Sequence, residues 1–124
     1  MPFTDVKIPP ERFETPQSRR VLSHQLGFSD ADDIQDWQRV FQDFDRVPEF
    51  LRLYDRMTDD DTRFLLMELI LASLCDAASS FFSGPVWPQL EARLRRGYDV
   101  HSWSIWNWSC VDPETRLAFN DYVV

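Results

Sequence analysis

"TDDDTRFLLMELILASLCDAASSFF", residues 58–82, decides how the rest of the chain is read. From Phe64 to Ala78 it is apolar almost all round, and a helix with no polar face has to be surrounded by other elements. The run Phe64–Phe82 approaches membrane length but carries Glu68 and Asp76. A carboxylate in mid-bilayer costs roughly 2.5–3.5 kcal/mol on insertion scales, so the segment reads as a buried helix and not as a span. Thr58 with Asp61 three residues on is a near-match to a capping box, with Asp in place of Glu. The small residues Ala72, Ser73, Ala77 and Ala78 allow neighbours to approach closely. The reading is a central helix over about residues 62–79.

Working outward, "TPQSRRVLSHQLG" offers Thr15 as N-cap, Pro16 at the first helical position and Gly27 as the stop, with Leu22 and Leu26 one turn apart. In "SDADDIQDWQRVFQDFDR" the spacing of Ile34, Trp37, Val40, Phe41 and Phe44 predicts one continuous amphipathic helix. Asp30, Asp32 and Asp33 occupy its first turn, where negative charge meets the positive end of the dipole, and Asp36 and Asp43 continue along its outer face. Pro48 ends that segment and opens the next, with Phe50, Leu51, Tyr54 and Met57 apolar on one side. Beyond the break "SGP" at 83–85, a short helix places Val86, Trp87, Leu90 and Leu94 inward and stops at Gly97. Asp112 and Pro113 begin a last helix, with Phe119 and Tyr122 towards the core and Leu117 at the edge of that face. Strand patterns are nearly absent, and residues 103–108 are the one place where a strand competes. The fold class is all-α: a compact bundle of six or seven helices around the central one. The 124 residues read as one helical domain, with residues 1–14 an extended N-terminal arm.

Charge narrows the partners. The formal net charge is −8, and it is uneven. Phe28 to Asp61 holds eleven acids against four arginines, a net of −7; Thr62 to Val124 nets −2. Phosphate binding needs clustered Lys and Arg, so nucleic acid is not the expected partner. Arg93, Arg95 and Arg96 form the tightest basic cluster and are too few to reverse this. Twelve arginines against a single lysine, Lys7, suggest a codon bias, and no structural meaning is assigned to them. Cys75 and Cys110 are too few for a disulfide framework and read as buried thiols, which suits the cytoplasm. The N-terminus lacks an apolar targeting core.

Sites that carry chemistry are hard to find. His24, Cys75, His101 and Cys110 hold zinc-binding atoms, but none of the usual ligand-pair spacings occurs, so no metal or other cofactor is expected. Cys75 in an apolar helix is a poor nucleophile, because burial raises a thiol's pKa. Glu68 and Asp76, eight apart, lie near one face; an enzyme with a pocket near Glu68, Asp76 and His101 is an alternative. The commoner outcome is that an arginine such as Arg93 or Arg116 neutralises them. In "HSWSIWNWSC", residues 101–110, helical spacing puts Trp103 and Trp106 on one face with Val100, while Ile105 and Trp108 point elsewhere. That segment reads mostly as core, with one indole, Trp103, spared for a partner.

"RMTDDDTRFLLMELILASLCDA" followed by "VWPQLEARLRRGYDVHSWSIWNW", together within residues 56–108, resembles the small, acidic, helical immunity-type proteins of bacterial toxin–immunity systems. The resemblance implies a non-catalytic cytoplasmic protein that binds a toxin and neutralises it; the acidic surface is compatible with a basic toxin. No inhibitory residue carries over from it. From charge, the residues expected to meet a basic protein are Asp32, Asp33, Asp36, Asp43, Asp59, Asp60 and Asp61, with Trp103 beside them. A small structural or regulatory helical module of a bacterial complex is the other alternative.

Overall fold

The computed structural model describes residues 9–28, 37–75 and 86–111. Several expectations therefore fall outside the described residues: those for Asp30, Asp32, Asp33, Ile34, Asp36 and Asp76, for Gly84, and for a helix after Asp112. Among the described residues every regular element is helical. In chain order these are α1 (Pro16–Leu26), α2 (Trp37–Val40), a 3-10 turn (Phe44–Arg46), α3 (Val47–Arg56), α4 (Asp60–Cys75), α5 (Val86–Arg96) and α6 (Tyr98–Val111). Residues 103–108, where a strand competed, are helical. No described helix is long and apolar enough to cross a membrane. The chain divides into two units, Phe13–Phe81 and Met1–Arg12 with Phe82–Val124.

In the unit Phe13–Phe81, α4 is the centre. It packs against α1, α2, α3 and the 3-10 turn. Phe64, Leu65, Leu66, Met67, Leu69, Ile70, Leu71 and Leu74 are all buried, which covers the full circumference of the helix. Each such side chain contributes roughly 1.5–3 kcal/mol by leaving water. Glu68 lies among them at 9% exposure. The start of α4 differs from expectation by one residue. Asp59, not Thr58, caps it: the carboxylate Oδ2 accepts from the Thr62 N–H at 2.9 Å and from the Thr62 hydroxyl at 2.9 Å. A carboxylate at this position also meets the helix dipole, which a threonine hydroxyl does not.

The ends of α1 are as local chemistry predicts. Thr15 Oγ1 accepts from the Ser18 N–H at 3.1 Å, and the Thr15 N–H donates back to Ser18 Oγ at 3.2 Å, so the box closes with serine. At the other end Gly27 adopts φ 74°, ψ 25°, and the Phe28 N–H reaches the Ser23 carbonyl at 2.9 Å, a Schellman closure. A Cβ on Gly27 would meet nothing within 4 Å, so only its backbone conformation resists a side chain. Gly27→Ala is therefore expected to lower stability by about 1 kcal/mol in urea denaturation, all of it left-handed strain; an unchanged midpoint would mean that α1 ends differently.

The predicted continuous helix through residue 44 is not what forms. Helix α2 stops at Val40, residues 41–43 leave the helix, and the chain resumes as the 3-10 turn. Two side-chain bonds compete successfully with the helical ladder there. The Asp43 N–H donates to Ser73 Oγ at 2.9 Å, and Asp43 Oδ1 accepts from the Asp45 N–H at 3.1 Å. Ser73 is buried and its own hydroxyl donates to the Leu69 carbonyl at 2.8 Å, so the group is used in both directions. Of the predicted apolar face, Trp37 is buried and Phe41 half-buried, while Val40 and Phe44 point outward at 55% and 48% exposure. Trp37 donates its Nε1–H to Ser23 Oγ at 3.3 Å. Its ring meets Phe28 edge-on at 5.6 Å and Phe41 at 5.4 Å, and Phe28 stacks on Phe41 at 4.3 Å.

Two arginines seal the corners of this unit. Arg46 Nη2 donates to the Leu26 carbonyl at the end of α1 at 3.0 Å, and Arg46 grips Glu49 through Nε at 2.9 Å and Nη2 at 2.8 Å. Its guanidinium carbon stands 5.3 Å from the Phe28 ring centroid and 5.5 Å from that of Phe50. Arg63, on α4, repeats the device at the end of α3: Nε donates to the Met57 carbonyl at 2.8 Å and the guanidinium lies 5.9 Å from the Tyr54 ring. The hydrogen bond to Glu49 raises the pKa of Arg46. The same bond, with the charges of Arg46 and Arg52, holds the Glu49 carboxyl below its ordinary value against a smaller opposing effect of burial. Because the folded value is lowered, this pair stabilises the fold above the ordinary carboxylate range, and the contribution fades as pH falls through the lowered value. The pair is 31% and 44% exposed, so the contribution is at most about 1 kcal/mol.

In the other unit, α5 and α6 meet at Gly97. The Gly97 N–H closes α5 on the Arg93 carbonyl at 3.0 Å, and the Gly97 carbonyl accepts from the His101 N–H at 2.9 Å, the first bond of α6. One residue thus ends one helix and starts the next, without a left-handed backbone, since Gly27 alone has positive φ among the described glycines. Leu90 and Leu94 are the buried side of α5; Val86 and Trp87, expected inward, are half-buried.

Candidate protein-binding surface

The carboxylates expected to meet a basic partner do not all occupy equivalent places. Asp59, Asp60 and Asp61 sit at the start of α4. Asp59 and Asp60 are exposed and Asp61 is half-buried. Asp59 has a structural duty as the cap, while Asp60 and Asp61 occupy the first turn, where the dipole favours them. Asp43 is exposed but is not on the outer face of a helix; it caps the 3-10 turn. The expectation that Asp43 continues along the outer face of a helix is corrected by that cap. Its neighbour Asp45 is also exposed.

Because the Asp43 backbone is bound to Ser73, it lies beside the far end of α4. Ser73 follows Asp60 by thirteen residues, a rise of about 20 Å at 1.5 Å per residue. Five of the described acids therefore form two groups at opposite ends of one helix, Asp43 with Asp45 and Asp59 with Asp60 and Asp61. A separation of that size still fits within one partner's footprint, since a standard interface buries about 800 Å² on each side.

Beside the second group is an open cleft of about 340 Å³ between the start of α1 and the α3–α4 corner. Thr15, Ser18, Arg56, Asp59, Asp61 and Thr62 are among its lining residues. Hydroxyls and carboxylates dominate, so it can accept hydrogen bonds more readily than it can hold an apolar group. No local pattern announces this cleft, because its two walls are some forty residues apart along the chain and each wall reads simply as a helix start.

The indole expectation needs revising. Among the described side chains of α6, those buried are His101, Ser104 and Ile105. Trp103 and Trp106 share a face as predicted, their rings 5.1 Å apart and tilted by 32°, but that face is half-buried and Ile105 takes the core position. Trp103 thus keeps some surface for contact. Of the remaining candidates for chemistry, Glu68 belongs to α4 and His101 to α6 of the other unit, and Asp76 lies outside the described residues. The buried Ser104 Oγ has no hydrogen-bond partner among the described residues. No group of three or more His, Cys, Asp or Glu among the described residues is placed to hold a metal ion.

Comparison with known proteins finds no matching family model, no similar curated protein and no similar solved structure.

Proposed function

We propose that this chain is a non-catalytic protein-binding domain of the immunity type, which binds a basic toxin domain in the bacterial cytoplasm through its acidic surface. The observation that carries the reading is the exposure of Asp43, Asp45, Asp59 and Asp60 in a stretch whose net charge is −7. Exposed carboxylates of one sign raise the rate of encounter with an oppositely charged partner and disfavour partners of like charge. Asp45 and Asp60 do so with little demand on the fold, because exposed charges contribute little to stability. The two groups of acids, about 20 Å apart, give the partner two points of electrostatic contact and so define its orientation. Neutralisation would then follow from occupation of the toxin's functional surface, with no turnover by this chain.

The test uses the polypeptide encoded beside this chain. A basic toxin domain there should form a stoichiometric complex with it. In stopped-flow mixing at low salt, the double variant Asp45→Asn, Asp60→Asn should associate several-fold more slowly, with a flatter salt dependence and a nearly unchanged melting temperature. Equal association rates at every salt concentration would leave the carboxylates as solvated surface and remove the basis of the reading.

A further inference from the structure

We propose that the Val40–Arg46 turn is the anchor by which a basic protein docks, with Val40 and Phe44 as its apolar contacts and Asp43 and Asp45 as flanking charges. This rests on the binding reading above and names the surface that carries it.

Val40 and Phe44 are two of the four large apolar side chains that stand exposed among the described residues, and they lie four positions apart. Single exposed apolar residues are ordinary. Here the backbone that presents them is fixed from within. The Asp43 N–H is held by Ser73, Asp45 by the Asp43 carboxylate, Phe41 by the Phe28 ring, and Arg46 by Leu26 and Glu49. A turn pinned at four of its residues loses little freedom on binding, so more of the contact energy becomes affinity. An aromatic side chain on such a mount is the usual form of a binding hot spot, and charged neighbours are the usual rim.

Charge decides the occupant. Asp43 and Asp45 flank Phe44 and outnumber the one exposed arginine, Arg39, that precedes Val40, within the stretch of net −7. A second copy of the chain would bring the same sign against them. An anionic bilayer would repel them for the same reason. A protein that offers Lys or Arg around a shallow apolar spot complements both features.

The experiment pans a phage-displayed library of random peptides against the whole chain and measures the affinity of the enriched peptides after synthesis. Expected are peptides with Lys or Arg beside a large apolar residue. Their binding should weaken at least tenfold with Phe44→Ser, several-fold with Asp45→Asn, and hardly at all with Asp60→Asn. Val40→Ser provides a second apolar variant, and thermal melts identify any variant that fails to fold. Basic peptides that bind equally to both serine variants and weaken with Asp60→Asn overturn this proposal and leave the acidic-surface reading standing. A library that enriches no basic peptide overturns both. A dimer in sedimentation equilibrium that Phe44→Ser dissociates, or flotation with phosphatidylcholine vesicles that it abolishes, assigns the turn to another occupant and also overturns the proposal.

Discussion

Replacing Trp37 by alanine is expected to remove about 3–5 kcal/mol of stability, the range for deletion of a buried large aromatic side chain. Trp37 is buried between α1 and the 41–43 segment, with its ring against Phe28 and Phe41 and its N–H on Ser23. The substitution leaves a cavity and also an unpaired hydroxyl at Ser23. A small domain has a total stability of about 5–15 kcal/mol, so this single change should consume a large share of it. Trp37→Phe should recover most of the packing and lose only the hydrogen bond, leaving a deficit of about 1–2 kcal/mol. Urea denaturation of the two variants checks both figures. A Trp37→Ala loss below about 1 kcal/mol would mean that the aromatic cluster is not part of the cooperative core.

Alanine substitution along α4 should show no silent face. In an amphipathic helix, roughly half of the positions tolerate alanine. In α4, the consecutive residues Phe64, Leu65, Leu66 and Met67 point about 100° apart around the helix and all are buried. Each change to alanine is expected to cost about 2–5 kcal/mol. The spread within that range should reflect how far each neighbour can relax into the space. If any one of the four were neutral, a side of α4 would have to be open to water. The set can be measured by thermal or urea unfolding, with Asp60→Ala, at the exposed start of the helix, as a reference.

Most of the fold could be read from the sequence where its cause is local. Thr15, Pro16 and Gly27 delimit α1 through contacts a few residues long, and the uninterrupted apolar run of α4 has one stable environment. The segment through Phe44 was misread for the opposite reason. Its apolar spacing suits a helix, but the hydroxyl that takes the Asp43 N–H belongs to Ser73, thirty residues away. No window of sequence contains both groups. The arginine excess is a similar case. Composition alone suggested only codon bias, whereas Arg46 and Arg63 each donate to a helix-ending carbonyl while facing an aromatic ring. A lysine can do either but lacks the planar group that does both. Of the proposed surface, exposure at Asp59 and Asp60 was legible, because acids at a helix start have a reason to face water. The outward turn of Val40 and Phe44 was hidden by the same broken helix.

The link between Asp43 and Ser73 also limits how this chain can drift over generations. Surface connections ordinarily absorb insertions and deletions with little penalty. Between Trp37 and Glu49 that freedom is lost, because Phe41, Asp43 and Arg46 must each meet a fixed counterpart on a different element. One added residue would displace at least one of the three. Related chains should therefore keep this interval at constant length even where its exposed side chains change, and length variation should accumulate elsewhere. A surface whose spacing is locked while its chemistry is free to vary can exchange one partner for another without rebuilding the domain beneath it.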